Sequence, residues 1–285
     1  MRRFYTKLIV TLLSICFVVS VFFVYTSWEA EQVEFSEKTL SFSNLPSAFD
    51  GLRVLQISDL HARFLSDDAF WETLLAKKPD LTVFTGDTFD RHATQEDLER
   101  IGELVRRFSE ISTVYFVGGN HEAQADLLER AVTVAEEGGA EFLSDCAVTY
   151  ERDGETVTVM GLKDPKCREN PNFVRKTLRT QTLETLEGLS GEMDGFTLLL
   201  AHRPEDVDLY SRFDVELVLS GHTHGGQIRL PLLGAVFAPA QGFFPKYSAG
   251  EYRVADTTLY VSRGLGGEHR LLCPPEVTLF TLKTA

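Results

Sequence analysis

The chain has 285 residues, with 28 Lys and Arg against 42 Asp and Glu, a formal net charge of −14, and four cysteines. That length supports one large domain or two small ones with a substantial core. The acid excess excludes a surface built to grip nucleic-acid phosphates, and Cys16, Cys146, Cys167 and Cys273 are too scattered for a disulfide framework, though one bond stays open.

Residues 1–28 stand apart. Arg2, Arg3 and Lys7 precede an apolar run from Leu8 to Tyr25 interrupted only by Thr11, Ser14 and Ser20. Its eighteen residues, at about 1.5 Å each, reach roughly 27 Å, the thickness of a bilayer's hydrocarbon. Tyr5 and Trp28 stand where interfacial aromatics belong. TSWEAEQ follows without a good small-residue cleavage site, so the run reads as an uncleaved anchor. Positive charge before it and EAEQVEFSE after it place the N-terminus in the cytoplasm and the rest outside. All 42 acidic residues lie beyond the run with 25 of the 28 basic ones, so the remainder carries about −17.

Residues 29–50 read as a linker with an edge strand, VEFSEKTLSF, and 51–285 as the main domain. Short apolar runs then end abruptly in polar residues: Arg53–Ile57, Leu81–Phe84, Val114–Val117, Phe196–Leu200 and Val215–Leu219. Residues 67–78 and 95–108 have apolar side chains at helical spacing among charges. Further strand-like runs follow at Val148–Tyr150, Val157–Met160, Tyr252–Val254, Leu259–Val261 and Val277–Leu282, and are expected to form a second sheet. The mixture predicts a sheet-rich α/β (α+β layered) domain. Within 163–195 a Pro/Asn loop precedes a helix, read either as a solvated connection or as a lid over a substrate.

Each of the five early runs delivers chemistry at its carboxyl end. RVLQIS is followed by Asp59 and His61, LTVFT by Asp87 and Asp90, and VYFVG by Asn120, His121 and Glu122. FTLLLA is followed by His202, and VELVLS by His222 and His224. Ligands gather at that edge of an open α/β sheet, so the five groups can converge. Five of the seven histidines lie in these motifs. Singly, an HxH pair in a glycine-rich turn is as well explained by solvent exposure. Together, Asp, Asn and His without cysteine make a donor set for Mn, Fe or Zn, with too many ligands for one tetrahedral ion.

In this order, DLH, GDTFD, GNHE, the lone histidine and GHTH resemble the calcineurin-like metallophosphoesterases, from Arg53 to the C-terminus. LLLAHRPE, GHTHGGQIRLP and SRGLGG resemble that family's bacterial membrane-associated branch. The resemblance implies a calcineurin-like β-sandwich flanked by helices and two divalent metal ions, manganese foremost. It also implies the ligands: Asp59, His61, Asp87 and His224 for one ion, and Asp87, Asn120, His202 and His222 for the other, bridged by Asp87. His121 would protonate the leaving oxygen or stabilise the transition state, oriented by Asp90, and Glu122 would act from behind the ligands. The implied activity is hydrolysis of a phosphoester or phosphoanhydride.

The anchor and the apolar stretch AVFAPAQGFFPKY at 235–247 point to a membrane-associated or lipid-linked phosphate substrate, with Phe243 and Phe244 facing lipid or the core. Arg203, Arg229, Lys246, Arg263 and Arg270 are candidate phosphate contacts or solvated cations. A UDP-2,3-diacylglucosamine-type pyrophosphate hydrolase is the alternative, weakened by the outward topology. A nuclease or protein phosphatase is disfavoured by the acidic surface. A non-catalytic, membrane-tethered metal-binding protein would have no need of His121 and Asp90.

Overall fold

A computed structural model describes residues 2–65, 67–123, 127–167 and 175–285. Helix α1 (Arg2–Glu29) leads into β1 (Glu34–Phe42) and β2 (Arg53–Ile57). Then come α2 (Asp68–Leu75), β3 (Leu81–Thr85), α3 (Gln95–Ser109), β4 (Thr113–Val117), α4 (Leu127–Glu137) and β5 (Glu141–Phe142). Next are β6 (Cys146–Arg152), β7 (Glu155–Gly161), α5 (Arg175–Leu189), β8 (Thr197–Leu200), α6 (Val207–Tyr210) and β9 (Leu217–Ser220). Four two-residue strands follow: β10 (Arg229–Leu230), β11 (Gly234–Ala235), β12 (Phe237–Ala238) and β13 (Gly242–Phe243). The chain closes with β14 (Gly250–Val254), β15 (Thr257–Val261) and β16 (Glu276–Thr284).

Two six-stranded sheets result, ordered β1-β16-β2-β3-β4-β5 and β14-β15-β9-β8-β7-β6. In each, four neighbouring strands run parallel: β2 to β5 in the first, and β15, β9, β8 and β7 in the second. Strand alternation decides how they pack. Val54, Leu81, Val83, Tyr115 and Val117 of the first sheet meet Val157, Val159, Leu198, Leu200, Leu217 and Leu219 of the second in one buried core. The opposite faces carry helices. Leu55, Ile57, Phe84 and Phe116 pack with Trp71, Leu98, Ile101 and Phe108 of α2 and α3. Leu199, Val218, Leu259 and Val261 pack with Leu186, Val207 and Tyr210 of α5 and α6. The product is the expected sandwich flanked by helices.

Helix α3 illustrates the local rules. Thr94 Oγ1 accepts from Asp97 N at 3.2 Å, and Asp97 Oδ2 accepts from Thr94 N at 2.8 Å, a reciprocal cap. Leu98, Ile101, Leu104, Val105 and Phe108 then bury one face. Each such side chain contributes about 1.5–3 kcal/mol.

One expectation needs correcting, and two further features were not read from the sequence. The last run does not join the second sheet: β16 returns to the first, parallel to β1 and antiparallel to β2. Placed there, Phe280 and Leu282 enter the inter-sheet core while Val277 and Leu279 face the helices. Helix α4, missed in the sequence, packs Leu127, Ala131 and Ala135 inward on α3 and β5. All four cysteines are free thiols. Of the 163–195 segment, α5 bears out the helix, whereas 168–174 of its loop lie outside the described residues.

Helix α1 is unlike the others. Every residue from Arg3 to Tyr25 is exposed, although the run is almost wholly apolar. Only its last turn is tied down. Thr26 and Glu29 are buried, Arg270 N donates to Thr26 O at 3.0 Å, and the His269 ring lies 5.3 Å from that of Phe23. This 28-residue helix is long and apolar enough to cross a membrane.

Candidate metal centre

The nine residues read from the motifs come together in one place. They sit on the loops that leave β2, β3, β4, β8 and β9, at the carboxyl edges of both sheets. His61 Nε2 lies 3.9 Å from Asp87 Oδ2 and 3.3 Å from His224 Nε2. His224 Nε2 lies 3.7 Å from Asp59 Oδ1. On the other side, His202 Nε2 approaches Asp87 Oδ2 to 3.3 Å, and the ring centroids of His202 and His222 are 5.0 Å apart. Asp59, His61 and His224 form one compact donor group and Asp87, His202 and His222 another. His61 and His202 both face the same oxygen of Asp87, so this carboxylate stands between the groups. Asn120 follows immediately after Gly119, where an added Cβ would fall 2.3 Å from Asp87 Oδ1.

His121 and Asp90 stand at the mouth. His121 Nδ1 is 3.5 Å from Asp90 Oδ2, which is also 3.8 Å from His61 Nδ1. The backbone N–H of His121 donates to Asp87 Oδ1 at 2.7 Å. Arg91 was not singled out in the sequence, yet its Nη2 lies 3.4 Å from His121 Nε2. Only its position beside Asp90 hinted at this.

The loops are held in costly backbone. Asp59, His61, Asp87, His222 and His224 all have positive φ, between 47° and 69°. Such conformations cost on the order of 1–3 kcal/mol each and persist only where surroundings over-determine them. Those surroundings are visible. Glu122 is fully buried and accepts from Asp87 N at 3.0 Å, Phe89 N at 2.9 Å and Gly119 N at 2.8 Å. It thereby ties the β3 and β4 loops together, as expected of a residue behind the ligands. Asp59 accepts from Ser58 Oγ at 2.7 Å and from His222 N at 3.0 Å. His202 Nδ1 donates to Thr85 O at 2.8 Å, which turns Nε2 toward Asp87. Gly221 and Gly266 allow close approach: a Cβ would fall 2.2 Å from Asp59 Oδ2 at the first and 2.3 Å from His61 Cδ2 at the second.

Burial sets the charge state. It pushes the Asp59 carboxyl up to about 6 and holds His61 down to about 4. His222 and His224 are held well below the usual imidazole range for the same reason, so three rings are neutral at pH 7 with lone pairs available. His202 is the exception. Burial pulls it down, but Asp87 more than offsets this and raises it to about 10. Asp87, despite its own burial, is held well below the usual carboxylate range, chiefly by His202.

Asn120 Oδ1, His222 Nε2 and His224 Nδ1 are buried and make no hydrogen bond. Buried polar atoms seldom go unpartnered, and three around one carboxylate ask for a polar occupant. Neutral imidazoles, carboxylates and an amide oxygen are the chemistry of divalent cations, and two donor groups sharing Asp87 fit two of them.

Three of the five basic residues read as phosphate contacts are otherwise engaged. Arg203 is buried, with Nε 2.8 Å and Nη2 3.2 Å from the Asp164 carboxylate. Arg263 pairs with Glu276 and Glu34. Arg270 is fully buried and donates to the carbonyls of Arg263, Gly264 and Gly266, bracing the loop that packs on Asp59 and His61. Arg229 bonds Gly225 O at 3.0 Å, and Lys246 lies 4.7 Å over the Tyr247 ring.

A model of the calcineurin-like phosphoesterase family matches residues 52–226. The chain is 33% identical to the metallophosphoesterase YkuE of Bacillus subtilis, over 90% of this chain and 87% of that protein. It is 27% identical to the phosphodiesterase YaeI of Escherichia coli, covering 81% and 82% respectively. It is also 27% identical to the UDP-2,3-diacylglucosamine pyrophosphatase LpxG of Chlamydia trachomatis, covering 83% and 86%. The order of the motifs, the sandwich that gathers them and these likenesses agree: the chain belongs to the calcineurin-like phosphoesterases.

Proposed function

We propose that this metal-dependent phosphoester hydrolase holds one divalent ion with Asp59, His61, Asp87 and His224, and a second with Asp87, Asn120, His202 and His222. The observation that carries the reading is the Asp87 carboxylate, whose one oxygen lies 3.3 Å from His202 Nε2 and 3.9 Å from His61 Nε2, one from each donor group. Two ions held close together polarise a phosphoryl group and supply a nucleophilic oxygen at neutral pH. Manganese is the favoured pair, with iron and zinc the alternatives.

The chain's own groups do the rest. His121, beside Asp90 at the mouth, gives a proton to the departing oxygen. Asp90 fixes which face of the ring is presented, and Arg91 adds positive charge beside His121 Nε2. Glu122 keeps the β3 and β4 loops in register. Residues 51–285 form the catalytic domain, residues 29–50 link to it and add the edge strand β1, and residues 1–28 cross the membrane with the domain outside the cytoplasm.

The substrate we infer is a membrane-associated or lipid-linked phosphoester. Support comes from the exposed apolar α1 and from the likeness to LpxG, whose name states a diacylated glucosamine linked to UDP. A pyrophosphate bond in such a precursor is the second reading, and it requires a cytoplasmic domain. Chelator-stripped protein reloaded with Mn, Fe or Zn should hydrolyse a generic phosphodiester, and lipid extracts should yield a phosphate-bearing product. Asp87→Asn serves as control. Full activity of that variant would defeat the assignment.

A further inference from the structure

Beyond α1, nearly every large apolar side chain left in the open belongs to one segment. Among the described residues these are Ile228, Leu230, Leu232, Leu233, Phe237, Phe243 and Phe244, joined by Leu272; Ile111 alone lies elsewhere. Leu232 is fully exposed, Phe243 75% and Phe244 62%. A rim so apolar on a domain this acidic calls for an apolar cover.

The backbone says where that rim lies. Arg270 N donates to Thr26 O of α1, and Leu271 N next to it donates to Gln227 O at 2.8 Å. Arg229 N returns a bond to Leu271 O at 2.9 Å. Val236 N then donates to Ile228 O at 2.9 Å, and Phe244 N to Val236 O at 2.9 Å. A lateral ladder therefore runs from the last turn of α1 through both hairpins, β10–β11 and β12–β13. At about 4.8 Å per rung, Phe244 lies roughly 15 Å to the side of Leu271. His269 packs edge-on against Phe23, inside the apolar run itself, so this edge of the domain starts at the depth where α1 leaves the hydrocarbon.

We propose that the hairpin segment 228–244, with Leu272, is a second membrane contact, seated in the same leaflet through which α1 exits. The partner is the lipid surface, and apolar insertion supplies the adhesion, since the net charge of about −17 beyond α1 repels anionic headgroups. The inner side of the segment borders the loop that carries His222 and His224. A cavity of about 220 Å³ lies between Thr223 and Gly226 on the histidine loop and Ile228, Val236, Phe237 and Pro239 on the hairpins. Insertion of the hairpins would set that cavity beside the leaflet.

The inference rests on the membrane-anchored reading, and tryptophan fluorescence separates the two. The full chain is reconstituted in phosphatidylcholine vesicles with or without brominated acyl chains. Native Trp28 reports the anchor, while buried Trp71 is a constant background. In Trp28→Phe protein, Leu232→Trp and, separately, Phe243→Trp report the two hairpins; both positions are exposed, so neither disturbs the core. Ile111→Trp is the control on the far side of the first sheet.

The expected result is that brominated lipid quenches Trp28 and the indoles introduced by Leu232→Trp and Phe243→Trp. All three should also be shielded from acrylamide, with the Ile111→Trp control unaffected by bromine. If Trp28 is quenched while positions 232 and 243 stay open to acrylamide, the hairpins face water and the inference falls alone. Shielding without bromine quenching would mean a protein partner or second copy, which also overturns it. An unquenched Trp28 would remove the anchor and the inference together.

Discussion

Replacing Asp87 by Ala tests the metal centre with the most separable consequences. The Asp87 carboxylate lies 3.3 Å from His202 Nε2, and both side chains are buried. At an effective dielectric of 20, opposite charges at that distance attract by roughly 5 kcal/mol. Linkage gives a similar figure. The histidine's ordinary 6.5 rises to about 10 when folded, and that separation corresponds to roughly 5 kcal/mol. The folded value lies above the unfolded one, so this stabilisation is complete below pH 6.5 and is lost as pH rises through 10. Asp87 is shifted the other way; its contribution holds above 3.8 and fades only on acidification below that. In chelator, urea unfolding should therefore find Asp87→Ala less stable by several kcal/mol (about 3–5) at pH 6 and by less at pH 8. Elemental analysis of the variant after metal loading should show both ions lost. A destabilisation that does not change between pH 6 and 9, or a variant that still carries two metals, would refute the reasoning.

His121→Ala should retain both metals and lose about 10²–10⁴-fold in kcat, and metal loss on elemental analysis would make it a ligand instead. Gly221→Ala drives a Cβ to within 2.0 Å of Ser58 Oγ and 2.2 Å of Asp59 Oδ2. It should cost about 1–3 kcal/mol in thermal unfolding and weaken metal retention on dialysis, whereas wild-type retention would show that the loop yields freely. Arg203→Ala strips a buried carboxylate of its partner and should destabilise by about 3–5 kcal/mol with KM unchanged for the protein that remains folded; a selective rise in KM would restore Arg203 as a phosphate contact. Protease added to intact protoplasts should remove the domain beyond Trp28 and leave α1 in the membrane, and a protected domain would reverse the orientation.

What could be read from the chain depended on how local the signal was. Strands β2, β3, β4, β8 and β9 were legible because each is a short apolar run that stops at a polar residue, and the motif residues stand at those stops. The convergence of all nine site residues followed from that rule together with the family's motif order. Strand β16 misled because a run of alternating apolar residues does not say which sheet it will enter; pairing with β1 and β2, more than 220 residues away, decided it. Arg203 looked free because Asp164 lies 39 positions earlier, behind an intervening helix. The two-residue strands of the hairpins are too short to show a period. Helix α4 hides its inner face in alanines, and the left-handed turns at Asp59, His61, Asp87, His222 and His224 leave no compositional mark because none is glycine.

The placement of β16 bears on how the protein is made. Strand β1 follows α1 early in the chain, yet its one partner strand is β16, with Glu34 opposite Glu276 and Phe42 opposite Thr284. During synthesis the segment after α1 therefore waits for its partner until β16 has been made. Strands β2 to β5 can assemble meanwhile with one open edge beside β2. Closure comes when the final strand slides into that edge and captures β1, a contact of very long range and correspondingly slow to form. A ribosome stalled before β16 would leave a domain with an exposed strand edge on each side of the gap, the form in which proteases and chaperones would meet it.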